Sequence, residues 1–441
     1  MCKYGLANDL LNRDLLAYMT STRQITLMWL PLAASAILMT GEILLVQAAV
    51  GRLPDEKIML AALGVMFWTE VLIEAPVLML LSTSTALTTS AQAYQVVRRF
   101  TIHLNLAVTS VAIAVAFVDP LFDLVMRSWM GIPTDIADLT QTGMRIMSPW
   151  SAAIGWRRFN QGILIRFGQP RQVTLGTVVR LLTSVTVAGC FVYNGTFSGI
   201  VVAATTFLLG VTAESLYAWW KTRPIIAKLQ ADAAPSADVL TYRAVLDFHL
   251  PLAATSVLSF IALPLLNGGL ARMATPQDSL AAWPVLYSVI LFFRGPGIAL
   301  PETVIALLKK ADDLPSLRRF CWIVAALSTA ALSLVALTPL LPWYLRNVVA
   351  VSDHLAQLVI AGAFVSVLIP GMAAVSNLYR GLLMSRRRTK HIYWGMAVYL
   401  VATVSGVALG VVLQSPGILT ASGAISAATF METVYLGIRS R

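Results

Sequence analysis

Twelve apolar runs, each long enough to cross a bilayer, follow one another along this chain with only short polar breaks. They fall at about 25–48, 59–83, 101–125, 142–164, 173–193 and 198–220. After a polar gap they resume at about 245–267, 280–307, 320–342, 356–384, 392–413 and 416–437. Roughly 20 apolar residues of helix fill the hydrocarbon core, so this pattern uses nearly all of the 441 residues and leaves no second soluble domain. Only 12% of residues are charged against about 25% in soluble proteins, so the chain cannot clothe itself for water. The expected fold is an all-α polytopic membrane protein with twelve transmembrane helices, placed in the cell (inner) membrane. The N-terminal segment "MCKYGLANDLLNRDLLAYMTSTRQ" has no cleavable signal pattern, so the first run is expected to stay as a span.

The net charge of +11 could point to nucleic acid, but no basic run is interleaved with aromatics in a soluble segment. The charges instead orient the helices. Of the 32 Lys and Arg, 23 fall on one side of the membrane and five (Arg52, Lys57, Arg127, Arg272 and Arg346) on the other. The rich side includes Lys3, Arg13, Arg98, Arg99, Arg157, Arg158, Lys309, Lys310, Arg318, Arg319, Arg387 and Arg441. The rule that cytoplasmic loops carry the positive charge then places both termini in the cytoplasm.

The chain also repeats itself. "LPLAAS" (Leu30–Ser35) returns as "LPLAATS" (Leu250–Ser256), and "VVRRF" ending at Phe100 returns as "SLRRF" ending at Phe320. Arg52 matches Arg272, and Gln47 matches Asn267, at the same offset of 220. Further on, "FNQGIL" (Phe159–Leu164) meets "LYRGLL" (Leu378–Leu383) after a one-residue slip. Two six-helix bundles are expected, residues 1–220 and 244–441, joined by a cytoplasmic linker at 221–243. Six is even, so both copies insert with the same orientation, related by an axis along the membrane normal. Facing bundles of this kind suit alternating access, with the site near the midplane. Nothing suggests an enzyme. There is no His-rich cluster, no phosphate-binding loop and no catalytic carboxylate pair, and Cys2, Cys190 and Cys321 make no metal pattern. No cofactor or metal is expected; the energy would come from a proton or sodium gradient, or from the substrate's own. The expected partners are a small anionic substrate and the lipid bilayer, with the protein acting as a monomer.

Charge at bilayer depth costs roughly 2.5–3.5 kcal/mol on insertion scales, so it marks function or a partner. One architectural position carries opposite charges in its two copies: Glu74 in "LIEAPV" and Arg294 in "FFRGPG", each two residues before a proline. Glu70 and Glu74 share a helix face and are candidate coupling or gating acids, with Glu42 and Asp247. Alternatively, Glu74 simply pairs with an arginine, with Arg294 across the pseudo-axis a candidate partner. Arg294 stands beside a Gly and Pro break and could grip a carboxylate or phosphate bidentately. Arg157, Arg158 and Arg380, at equivalent regions of the fourth helices, are either positive-inside anchors or a basic vestibule. Asn160 and Gln161 would supply neutral hydrogen bonds there. Arg180 could join them or pair with Glu214. Arg145 is a further charge inside an expected helix, and Gln47 and Asn267 are expected to line the exit.

The loop "TSTALTTSAQAYQVVRRF" lacks the Gly and Asp of the major facilitator motif. The Pro-broken first helices instead resemble those of the multidrug and toxin extrusion (MATE) families and of the wider superfamily that includes lipid flippases. The segments "WRRFNQGILIRFGQPRQVTLGTVVRLLTS" (Trp156–Ser184) and "LARMATPQDSLAAWPVLYSVILFFRGPG" (Leu270–Gly297) resemble the progressive ankylosis protein family, a MATE-like branch. The resemblance implies a V-shaped exporter of small polyanions such as ATP, citrate or pyrophosphate. Multidrug relatives instead expel organic cations in exchange for protons or sodium, and a flippase for an anionic lipid-linked precursor, which would show a lateral apolar groove beside the basic cavity, is the other alternative.

Overall fold

The computed structural model describes residues 22–231, 239–308, 314–386, 388 and 390–440. Cys2, Lys3, Arg13, Lys309, Lys310, Arg387, Arg441 and the middle of the expected linker lie outside them. All regular structure among the described residues is helical. The first half comprises α1 (Thr22–Val50), α2 (Glu56–Leu78), α3 (Leu80–Leu87), α4 (Ala91–Phe117), α5 (Thr134–Met147), α6 (Trp150–Arg166), α7 (Pro170–Asn194) and α8 (Gly199–Ala231). The second half comprises α9 (Tyr242–Phe260), α10 (Ala262–Leu270), α11 (Pro276–Ile298), α12 (Leu300–Leu307), α13 (Leu314–Leu337), α14 (Asp353–Ser366), α15 (Ile369–Ser385), α16 (Lys390–Val412) and α17 (Gly417–Arg439). The helix α8 runs on to Ala231, so the expected linker begins as a continuation of that helix rather than as a loop.

Among the described residues, nine helices are long and apolar enough to cross a membrane, and ten if the α14–α15 pair, bent by 44°, counts as one span. The two other expected spans are helical but fall short on apolarity. The α5–α6 pair carries Arg145, Arg157 and Arg158, and α17 is rich in Gly, Ala, Ser and Thr and holds Glu432. Arg145 is half-exposed near the end of α5 and pairs at 3.0 Å with Asp119, just past the end of α4.

The prolines act identically in both copies. Proline removes a backbone donor and breaks the helix near itself. The α2–α3 break falls at Met79, three residues after Pro76, and the α11–α12 break at Ala299, three residues after Pro296.

The seam between the halves is centred on α2 and α11. Gly64 and Pro284, equivalent in the repeat, touch there: a Cβ on Gly64 would lie 2.7 Å from Pro284 Cγ. Next to them Gln47 Nε2 donates to the Pro284 carbonyl at 2.9 Å, Ser288 Oγ donates to Gln47 Oε1 at 2.6 Å, and Trp68 stacks edge-on against Tyr287. Gln47 therefore closes the seam rather than lining an exit, and Asn267 is buried too. Two arginines at equivalent positions finish the closure. Arg52, after α1, donates to the carbonyls of Val348 and Asn347 in the other half. Arg272, after α10, donates to those of Trp129 and Met130 at 2.5 and 2.6 Å. Each arm ends on a π-helical turn, Tyr344–Val349 or Asp123–Trp129, whose terminal carbonyls have no partner further along the helix. A Lys57–Asp278 ion pair at 2.5 Å adds a third tie.

At the opposite end, which carries residues 22 and 440 and the inter-half connection, the first helix of each half crosses to the other. Trp29 Nε1 on α1 donates to the Pro296 carbonyl at 2.8 Å, and Ile25 is buried among Leu317, Phe320 and Cys321. His249 on α9, the equivalent of Trp29, packs on Phe100 and bonds Thr83 Oγ1 through Nδ1 at 2.9 Å.

Candidate functional site

The buried charges gather in two clusters, one per half. In the first, α6 presents Arg157 and Gln161 one turn apart, hence on one face. Both reach Glu214 on α8: Arg157 Nη1 donates to Oε2 at 2.7 Å, and Gln161 Nε2 donates to Oε1 at 2.9 Å. Arg180 on α7 lies 3.7 Å from the same Oε2 and pairs closely with Glu42 on α1. Ser184 Oγ donates to Glu42 Oε1 at 2.6 Å. Gly210 makes room for this contact, since a Cβ there would sit 2.4 Å from Ser184 Oγ and 3.0 Å from Glu42 Oε1. Asn160 stands at the cluster's edge and accepts from Thr222 Oγ1 at 2.8 Å. Four helices are thus tied by one chain of charge-assisted bonds, the stronger class of hydrogen bond.

Three members of this cluster have no such partner. Arg158 is half-buried and forms no hydrogen bond or ion pair among the described residues; its Nε is sealed from solvent. Glu70 and Glu74 are buried, and neither Glu70 oxygen nor Glu74 Oε2 has a partner. Glu74 stands within electrostatic reach of Arg157, Arg158 and Arg180. Leaving polar groups buried and unbonded is expensive, on the order of 1–3 kcal/mol each and more for charges, so such groups call for a ligand, a proton or a second conformation.

The second cluster is smaller. Arg380 on α15 pairs with Glu432 on α17 through both Nε, at 3.1 Å, and Nη2. Arg294 lies near Tyr287, Tyr399 and Glu432. Its one hydrogen bond among the described residues runs to the Tyr287 hydroxyl at 3.4 Å, and its Nε is buried without a partner. Asn377 Nδ2 donates to the Gly297 carbonyl at 3.0 Å, beside the Pro296 break.

Several expectations change accordingly. Glu74 and Arg294 do not pair: each looks into its own half once α2 and α11 have passed the Gly64–Pro284 crossing. Arg157 is no surface anchor, since it is buried in an ion pair. Arg380 does not stand free in a vestibule, because Glu432 holds it. Asp247 is not brought to either cluster; it is 70% exposed and lies 3.9 Å from Arg243, one turn back on α9.

Glu432 and Ser184 were not among the candidates read from the sequence. Glu432 had a signal: "ESLY" (Glu214–Tyr217) and "ETVY" (Glu432–Tyr435) are copies, and Gln161 and Arg380 are equivalent in the repeat. In both halves the fourth span thus reaches a glutamate on the sixth.

No protein-family model and no curated protein matches the chain. Solved structures do. An inward-facing multidrug resistance MATE family transporter of the MOP superfamily aligns with a TM-score of 0.74 at 15% identity, over 94% of this chain and 97% of that one. An outward-facing conformation of such a transporter aligns with a TM-score of 0.65 at 17% identity, over 95% and 94%. The lipid II flippase MurJ in an inward closed conformation aligns with a TM-score of 0.70 at 12% identity, over 92% and 87%. At such identities the likeness establishes architecture alone: this chain has the fold of these MATE and MurJ structures.

Proposed function

We propose that this protein is a secondary exporter working by alternating access, carrying a small organic or phosphorylated anion of the ATP, citrate or pyrophosphate class out of the cytoplasm. In this reading the chain spans the inner membrane twelve times as a monomer, both termini are cytoplasmic, and the branch is that of the progressive ankylosis protein. The seam tied by Arg52 and Arg272 is then the closed external side, which agrees with the better fit to an inward-facing relative than to an outward-facing one.

Arg294 carries the reading. It is a guanidinium whose Nε is buried and which, among the described residues, forms no ion pair and a single hydrogen bond, to a tyrosine hydroxyl at 3.4 Å. A planar fork of donors with open positions matches a carboxylate or phosphate in geometry. Arg158 offers a second unpaired cation, while Arg157 and Arg380 position their glutamates and Asn160 and Gln161 hold the frame around them. Glu70 and Glu74, unbonded, serve as coupling or gating acids for protons or sodium ions, with Glu42 coupled to them through Arg180.

The test is profiling of metabolites exported by cells carrying wild type, Arg294→Ala or no protein. One or more anions should accumulate outside only with the wild type, and Arg294→Lys should restore export in part. Export of every anion left intact in Arg294→Ala would overturn the reading. The free carboxyls of Glu70 and Glu74 favour a second one, an antiporter of organic cations. That reading predicts cation efflux abolished by Glu70→Gln or Glu74→Gln and indifferent to Arg294.

A further inference from the structure

The second half carries an apolar groove open on one side. It lies between α13 and α17 with α15 as its floor, and encloses about 1010 Å³. Its walls are apolar along most of their length, including Ala326, Ala330, Leu368, Val375 and Phe430. At the end nearest residues 314 and 440 it becomes polar, with Arg318, Tyr379 and Ser440. From Arg318 to Ala330 is twelve residues of helix, roughly 18 Å at 1.5 Å per residue, close to one leaflet of a hydrocarbon core about 30 Å thick.

The repeat shows which side chains stand at the equivalent positions of the first half. Carrying forward the "ESLY" and "ETVY" register, Gly437 occupies the position of Trp219. Carrying forward "FNQGIL" and "LYRGLL", Val375 occupies the position of Trp156. Two indoles are thus replaced by a hydrogen and an isopropyl group. Gly437 leaves the Tyr379 ring uncovered, with ring atoms 3.1 and 3.4 Å and the hydroxyl 3.5 Å from where a Cβ would stand. Arg318 and the Tyr379 hydroxyl have no hydrogen-bond or ion-pair partner among the described residues. They flank the mouth together with Trp322, which is 56% exposed, as a side chain at a membrane–water boundary would be.

We propose that this groove is a binding site for an anionic glycerophospholipid of the leaflet on the side of the chain termini. An acyl chain lies between α13 and α17 against α15, and the phosphate meets the Arg318 guanidinium and the Tyr379 hydroxyl. Length, apolar lining and charge each fit that occupant. A neutral phosphocholine lipid would match the lining but bring its own cation to Arg318. The site is separate from the buried clusters and stands whether or not the export reading holds.

The test is native mass spectrometry of the full chain released from nanodiscs of equal phosphatidylglycerol and phosphatidylcholine. Wild type should retain one phosphatidylglycerol in preference to phosphatidylcholine. Arg318→Gln should reduce that preference about fivefold, the scale of one basic residue at a membrane surface. Ala326→Trp, which fills the exposed wall without touching the core, should abolish retention, and Arg319→Gln should leave it unchanged. Retention undiminished in Ala326→Trp, or an equal loss in Arg319→Gln, would show that surface charge alone gathers the lipid and would overturn the groove as its site. Retention of both lipids without preference in wild type would overturn the anionic assignment.

Discussion

Removing the two arginine arms should open the seam. Arg52 and Arg272 are exposed, so water competes for their donors, yet each spans the two halves with at least two bonds to carbonyls. Hydrogen bonds to charged groups contribute about 1.5–3 kcal/mol when shielded, and exposed ion pairs about 0–1, which places each arm near 1–2 kcal/mol. The arms sit on opposite sides of the pseudo-axis and share no atoms, so their effects should add. Arg52→Ala or Arg272→Ala alone should shift the closed-to-open ratio by about 5- to 30-fold, and the double variant by roughly 30- to 1000-fold. Spin labels at Thr196 and Ser352, exposed positions in opposite halves, would report it as pulsed-EPR distances in a chain with its three cysteines replaced. The wild type should give one narrow distance population. Each single variant should add a longer one, and the double variant should be dominated by it. A distribution unchanged in the double variant would refute the argument and leave Gln47, Ser288 and the Gly64–Pro284 contact as the closure.

Two further outcomes concern the first cluster. Glu214→Gln should lower stability in detergent by about 3–5 kcal/mol, because Arg157 is left buried with its charge uncompensated. Pairing it with Arg157→Met should recover most of the loss in the same thermal-unfolding assay, since both partners are then gone. Gly210→Ala should cost about 1–3 kcal/mol, because its methyl must displace Ser184 from Glu42. Adding Ser184→Ala should relieve that strain, and a double variant no more stable than Gly210→Ala would refute the packing argument.

The sequence made the spans legible because apolar length is a local property, and the repeat legible because short motifs such as "LPLAAS" and "LPLAATS" return at a fixed offset. It also offered Glu214 as one of two alternatives for Arg180, which the structure puts 3.7 Å from that carboxylate while Glu42 holds it more closely. What it left open was which charges meet. Glu42 lies 138 positions before Arg180, and only the packing of α1 on α7 brings them together. The positive-inside count misplaced Arg157 for a related reason: a charge near a helix end reads as a loop anchor until α8 is seen to bury it. Glu432 was overlooked because an acid near the chain's end resembles an interfacial residue, although its copy "ESLY" was present to match it.

The opposite charges at one repeated position now have a physical account. The backbone break after that position is the same in both halves, at Met79 and at Ala299, although the side chain five residues earlier differs in charge. The side chain then answers to its own half. Around Glu74 stand Arg157, Arg158 and Arg180, and around Arg294 stand Tyr287, Tyr399 and Glu432. By count the first cluster holds four acids (Glu42, Glu70, Glu74 and Glu214) and three arginines (Arg157, Arg158 and Arg180), whereas the second holds two arginines (Arg294 and Arg380) and one acid, Glu432. The first half therefore has one carboxyl to spare and the second one guanidinium. Were Glu74 and Arg294 paired, both surpluses would cancel and neither half could answer a ligand. Keeping them apart leaves a cation or proton to be taken up on one side of the seam and an anion on the other, which is what coupled export in the proposed cycle requires.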